Sequence, residues 1–98
     1  MHPTASAARR AAEAALVLQL GTTRRDDLDA AASELTVHLE ALLSSFPPGA
    51  GDLGRLREEG AHLLAERPGR DALPYSVWAH MRALARVVRR LDSLGGGE

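Results

Sequence analysis

The stretch "LDAAASELTVHLEALLSSF", residues 28–46, decides the fold because its apolar positions recur at helical spacing. Steps of four and three residues separate these positions, and a rotation of about 100° per residue brings them onto one face of an α-helix. The predicted stripe contains Leu28, Ala32, Leu35, Leu39, Leu42 and Phe46. The stretch therefore predicts a long amphipathic helix that buries one side.

The last third of the chain repeats this pattern. In "PYSVWAHMRALARVVRRL", residues 74–91, Pro74 suits the first turn of a helix, where no backbone N–H is needed. The predicted stripe contains Val77, Met81, Leu84, Val88 and Leu91. We expect these two helices to form the spine of the core.

Composition extends the helical prediction to the whole chain. Its 98 residues give room for one domain, 1–98, and include 18 alanines and 16 leucines, both strong helix formers, but no isoleucine. Glycine and proline break the pattern at Gly21, 46–51, 67–71 and 95–97. They leave helices at about 5–20, 24–46, 53–67 and 74–94, with 95–98 as a flexible tail. Short connections then predict an all-α, four-helix, mostly antiparallel up-and-down bundle.

The remaining segments differ in how much they can bury. Gly60 lies within the apolar stripe of the third segment, which predicts a close approach of two helices there. The first segment offers Leu16, Leu20 and alanines on a face shared with Arg9, so we expect it to bury little. Thr23 and Asp52 are the expected N-caps of the second and third helices.

Several classes of protein are excluded or disfavoured. A formal net charge of -1 argues against a generally basic, nucleic-acid-coating protein, and the lack of cysteine removes disulfides and thiolate chemistry. No apolar run reaches the roughly 20 residues that span a bilayer, and Glu13 interrupts the N-terminal apolar segment, so we expect a cytoplasmic protein. No catalytic motif or phosphate-binding loop occurs, so no catalytic residue and no cofactor are predicted, and the chain reads as non-enzymatic.

Arginines mark one side of the last helix. Arg82, Arg86 and Arg89 fall roughly opposite Val77, and we expect them to face solvent. Tyr75 falls among them, and Trp78 precedes Arg82 by four residues, a spacing that permits a cation-π contact. Arginines beside aromatic rings can bind phosphates and stack on bases. The alternative is that they only solvate the outer face.

The second helix carries a row of small side chains opposite its apolar stripe. Glu34 and Glu40 flank this row, but its middle is uncharged, whereas a lone surface helix would more often carry charges there. The helix is therefore packed on two sides, paired with a second subunit, or merely alanine-rich on its exposed face. We call this row the small-residue strip: Ala30, Ser33, Val37, Ala41 and Ser44.

Two histidines permit a metal hypothesis. Glu34 and His38 are four residues apart on one helix, and His80 flanks the apolar stripe of the last helix. Two imidazoles and a carboxylate meeting between helices would suit a transition metal. The paired Glu-x-x-His motifs of di-iron bundles are missing, so edge-of-core or surface positions are the favoured interpretation of both histidines.

Three segments resemble a known family: "LTVHLEALL" at 35–43, "RLREEGAHLLAERPGRDALP" at 55–74 and "VWAHMRALARVVRRL" at 77–91. They are similar to an actinobacterial family of small, uncharacterised helical proteins labelled as natural-product biosynthesis proteins. The matching positions are Leu35, His38, Leu39, Ala79, His80, Leu84, Ala85 and Arg86. The resemblance implies a helical fold and an accessory or regulatory role rather than a reaction.

Three functions follow as hypotheses. The favoured one is a non-enzymatic helical interaction module that self-associates, as a dimer, or binds a protein partner. Its candidate partner-binding residues are Ala30, Val37, Ala41, Tyr75, Trp78, Arg82, Arg86 and Arg89. The alternatives are a bundle that binds a small ligand or metal near His38 and His80, and a nucleic-acid-associated regulator that uses the arginines of the last helix.

Overall fold

The computed structural model describes residues 6–46 and 51–96, and the regular structure in those ranges is entirely α-helical. The helices are α1 (Ala7–Leu16), α2 (Arg25–Ser45), α3 (Gly51–Ala65) and α4 (Pro74–Gly96). The all-α prediction of four packed helices is thereby confirmed. Helix α1 ends four residues earlier than expected, and α4 runs into the expected tail. The start of the first segment, most of the 46–51 break and the last two tail positions lie outside the described residues.

Helix α4 is the centre of the fold, because it contacts all three other helices and packs most extensively on α2 and α1. Its predicted stripe is fully confirmed as core. Ala85 and Val87 are also buried, at 0% and 1% exposure. They lie beside the stripe because α4 has neighbours on more than one side.

The first helix is fastened to α4 at both ends. Near its start, Ser6 Oγ donates to Asp92 Oδ1 at 2.7 Å, and Arg9 Nη2 donates to Ser93 Oγ at 2.7 Å. Near its end, Trp78 Nε1 donates to Leu18 O at 3.0 Å. The start of α1 therefore contacts the end of α4, and the end of α1 contacts the start of α4. The two helices are antiparallel.

Burial in α1 corrects the sequence expectation. Ala8, Ala12 and Ala15 are 9%, 0% and 2% exposed, so the prediction that this segment buries little is wrong. Alanine side chains are short, and a row of them lets a helix backbone lie close to its neighbour. The helix is thus buried through close packing rather than through large apolar side chains.

Helices α2 and α3 pack through Gly60, and the predicted close approach is confirmed. A Cβ atom placed there would lie 3.2 Å from Leu39 Cδ1 and 3.5 Å from Leu43 Cδ1. On the same helix, Arg57 Nη1 donates to the carbonyls of Leu43 at 2.8 Å and of Phe46 at 3.0 Å. These bonds satisfy carbonyls that the end of α2 leaves without helical partners.

Both predicted N-caps are wrong. The N-cap of α2 is Arg24, whose side chain makes no capping hydrogen bond, and Asp26 and Asp27 occupy the first turn. Carboxylates in the first turn interact favourably with the positive end of the helix dipole. They stabilise the start of α2 in place of a side-chain cap. Helix α3 begins at Gly51, so Asp52 lies inside the first turn rather than before it.

The molecule is flat, with extents of 38 × 33 × 17 Å. In the described part of the chain, no helix combines the length and apolar character that a membrane crossing requires.

Candidate interaction surface

An aromatic pair lies at the start of α4. The ring centroids of Tyr75 and Trp78 are 5.9 Å apart and the planes are tilted by 45°. Tyr75 is 60% exposed, whereas Trp78 is half-buried and packs against the core. The pair therefore presents one anchored ring and one ring open to a partner.

Arg82 holds the Trp78 ring in place. Its guanidinium carbon lies 5.0 Å from the centroid of the Trp78 ring, and its Nη1 donates to Leu16 O at 2.9 Å. The predicted cation-π spacing is thus realised. The prediction that Arg82 faces solvent is wrong, because this side chain is half-buried. It donates a hydrogen bond to the last carbonyl of α1, which has no partner within the helix.

Two further exposed apolar residues lie close in sequence to the groups that form this cluster. Val17, 74% exposed, lies between Leu16 and Leu18, whose carbonyls accept the Arg82 and Trp78 hydrogen bonds. Leu73 is 71% exposed and directly precedes α4. We call this set the ring surface: Val17, Leu73, Tyr75 and Trp78. It contains three of the most exposed large apolar side chains in the described chain.

Further along α4, the remaining arginines do face solvent. Arg86, Arg89 and Arg90 are exposed, and none forms an ion pair or side-chain hydrogen bond within the described ranges. Two open depressions adjoin this region, and Leu56 lines both. One lies between α3 and α4, and the other is also lined by Arg9 and Glu13 of α1. The arginine row is therefore shorter than predicted, and it begins more than one turn beyond the aromatic pair.

The small-residue strip is exposed along its length. Val37, at its centre, is 64% exposed, and Ala30 and Ala41 are also open to solvent. Helix α2 is thus packed on one side only, which removes the interpretation of a helix packed on two sides. Pairing with another chain and simple exposure remain as predictions.

The metal candidates do not assemble into a site. His38 Nε2 lies 3.7 Å from Glu34 Oε2, so these two are neighbours as predicted. No group of three or more histidine, aspartate or glutamate side chains within residues 6–46 and 51–96 could hold a metal ion. His80 accordingly does not join the Glu34 and His38 pair in a three-ligand cluster.

His80 instead lines a cavity of about 200 Å³ between α2, α4 and the turn at 67–70. Its Nε2 is buried and has no hydrogen-bond partner among residues 6–46 and 51–96. Burial lowers the pKa of His80, the Arg67 guanidinium lowers it further, and Glu66 opposes both. The sequence predicts only a helix break at 67–71 and no cavity there, although two arginines flank its Pro-Gly turn.

Comparison of the chain with models of protein families, with curated proteins and with solved structures gives no match. The surfaces and the cavity described above are therefore the basis for any statement about function.

Proposed function

We propose that this protein is a non-enzymatic helical interaction module that forms a homodimer through the ring surface. In this proposal it acts in the cytoplasm as an accessory or regulatory protein. The resemblance found in the sequence adds natural-product biosynthesis to this proposal as the setting in which the protein acts.

One observation carries the proposal: the end of α1 and the start of α4 expose several large apolar side chains near Trp78, whose ring is fixed in position. Trp78 is held by its hydrogen bond to Leu18 O and by Arg82, while Tyr75 is 60% exposed. Aromatic residues and arginine dominate the binding energy of many interfaces. Fixed side chains lose little conformational entropy on association, so a surface of this kind favours binding.

The small-residue strip is a weaker site for self-association. In an antiparallel pairing of two α2 helices about a two-fold axis through Val37, Glu34 of one copy would lie beside Glu40 of the other. Like charges in juxtaposition oppose association. The strip is better suited to a partner whose flanking residues are basic.

The nucleic-acid alternative loses part of its support. Arg82 is engaged with Leu16 O and covers one face of the Trp78 ring, so that face is not open for a base to stack on. Arg86, Arg89 and Arg90 remain as exposed cations. These can attract phosphate but provide no adjoining stacking platform.

Sedimentation velocity over a range of protein concentrations tests the proposal. We expect a reversible dimer for the natural sequence and dissociation for Tyr75→Glu, because a carboxylate would have to be buried in the interface. Val37→Glu is the matched control, since it places the same charge on an equally exposed side chain of the small-residue strip.

Three results would contradict the proposal. A natural-sequence protein that stays monomeric at every concentration would exclude self-association. Dissociation by Val37→Glu but not by Tyr75→Glu would move the interface to the small-residue strip. Unchanged mass for Tyr75→Glu, with helical content retained by circular dichroism, would exclude the ring surface.

A further inference from the structure

We infer that the cavity beside the 67–70 turn binds a small oxyanion that also carries hydroxyl groups. This ligand-binding role is separate from the proposed dimerisation, because none of the cavity-lining residues belongs to the ring surface. The inference rests on charge, on hydrogen-bonding capacity, on the unpartnered His80 nitrogen and on the size of the cavity.

Charge in the cavity is mainly positive. Three arginines line it, Arg25, Arg67 and Arg70, against the single carboxylate of Asp29. The side chains of Arg67 and Arg70 form no hydrogen bond or ion pair with any described residue. A guanidinium offers a planar fork of N–H donors that matches the oxygens of a carboxylate or phosphate.

Arg25 holds the turn that carries the other two arginines. Its Nη1 donates to Ala72 O at 2.9 Å and its Nη2 to Arg70 O at 3.1 Å. Its Nε lies 3.4 Å from Asp29 Oδ1. The wall of the cavity is therefore fixed by contacts that do not use the side chains of Arg67 and Arg70, which leaves both available to a ligand.

Two groups in the same cavity can only accept hydrogen bonds. The Thr36 hydroxyl donates to Ala32 O at 2.8 Å, so toward a ligand its oxygen offers lone pairs alone. The Asp29 carboxylate is likewise an acceptor. A bare carboxylate or sulfate brings no donor to these groups, whereas a ligand with an oxyanion at one end and hydroxyls at the other satisfies both sets.

The third observation is the unpartnered ring nitrogen of His80. Its buried Nε2 has no hydrogen-bond partner among the described residues, and a buried polar atom without a partner is uncommon in folded proteins. The charged groups around it are Arg67 and Glu66 from the end of α3, Arg25 and Asp29 from α2, and Arg70 from the turn. An anion placed against Arg67 offsets the positive field that disfavours the charged imidazole.

Size limits the ligand. The cavity of about 200 Å³ is smaller than the roughly 300–1,000 Å³ typical of pockets for drug-sized ligands. A cavity of this size suits a ligand with a few carbon atoms. The ligand class is therefore a short hydroxylated carbon chain that ends in a phosphate or a carboxylate.

Isothermal titration calorimetry with four probes tests this inference at constant ionic strength: glycerol 1-phosphate, glycerate, inorganic phosphate and glycerol. We expect saturable binding of glycerol 1-phosphate or glycerate, weaker binding of inorganic phosphate and none of glycerol. Which of the first two binds more tightly identifies the oxyanion as phosphate or carboxylate. The ring protons of His80 in NMR titrations should report a higher pKa when the ligand is bound.

Two arginine variants are compared: one removes a cavity arginine, and the other is the control outside the cavity. Arg67→Gln should weaken binding by about tenfold, because a charge-assisted contact is lost, whereas Arg89→Gln removes an exposed arginine outside the cavity and should leave affinity unchanged. Equal weakening by both variants, no saturable binding of either hydroxylated anion, or equal affinity for inorganic phosphate would overturn the inference. Thermal unfolding checks that both variants remain folded.

Discussion

The absence of a side chain at Gly60 lets α3 lie against Leu39 and Leu43 of α2. Helix propensity alone disfavours glycine at such a position by about 1 kcal/mol relative to alanine. Packing therefore outweighs propensity, because Leu39 is 0% exposed and has little room to move away.

Gly60→Val should destabilise the protein by about 1–2 kcal/mol, even though valine is the better helix former. Overpacking of a filled core typically costs about 1–3 kcal/mol, which exceeds the gain in propensity. Urea unfolding measures the change. Ala61→Val, on the exposed side of the same helix, should cost only about 0.5 kcal/mol from propensity. A Gly60→Val variant more stable than the natural sequence would refute the packing argument.

His80 should make the fold acid-sensitive. Because its pKa is lowered in the folded state, first by burial and then by Arg67, the unfolded chain binds more protons as the pH falls below about 6.5. The stabilising contribution is present above that pH and is lost as the pH falls through the folded-state pKa. Urea unfolding from pH 7.5 to 5 should show a steeper loss of stability for the natural sequence than for His80→Gln. Parallel curves for the two proteins would contradict this prediction.

At the scale of elements, backbone carbonyls at the C-terminal ends of α1 and α2 accept hydrogen bonds from side chains of other helices. Arg82 and Trp78 of α4 bind the carbonyls that end α1, and Arg57 of α3 binds those that end α2. Carbonyls at a helix C-terminus carry partial negative charge, which a guanidinium complements. Two arginines, Arg57 and Arg82, thus act as structural caps rather than as a solvating surface.

Arg57→Met should destabilise the protein by about 1–2 kcal/mol, because the aliphatic stem is retained while the two hydrogen bonds to Leu43 O and Phe46 O are lost. Thermal or urea unfolding measures the loss. Arg55→Met, on the same helix but exposed, is the control and should change stability by less than about 0.5 kcal/mol. Similar effects of the two substitutions would show that the caps contribute nothing specific.

The apolar stripes of α2 and α4 could be predicted from the sequence because residue spacing alone determines which side chains share a helical face. Helix ends could not, since the end of α1 coincides with tertiary hydrogen bonds from Arg82 and Trp78, which no local pattern shows. The burial of α1 was missed for the same reason. Alanines bury a helix only when a neighbouring backbone comes close, and that depends on the whole fold.

The candidate site was predictable in part. The spacing of Trp78 and Arg82 indicated their contact. The exposure of Val17 and Leu73 depends on how the α1–α2 and α3–α4 connections run. The cavity joins α2, α4 and a turn far apart in sequence, so its arginines and His80 meet only in the folded chain.

At the scale of the whole molecule, the flat shape determines how much of each helix stays exposed. An extent of 17 Å in its thinnest direction leaves much of each helix outside the core, including the small-residue strip of α2. A thin body offers large faces relative to its volume, which suits a protein that works through its surfaces. Association would cover part of the apolar surface that the four helices leave exposed.

Trp78 is the single tryptophan of the chain, and its indole joins α4 to the end of α1 through Leu18 O. Its fluorescence is therefore a built-in local probe of that junction. Detachment of α1 would free the indole N–H and uncover the ring before the α2–α4 contacts separate, and the emission would shift to longer wavelength. A fluorescence transition that precedes the loss of helical circular dichroism would identify α1 as a separate cooperative unit.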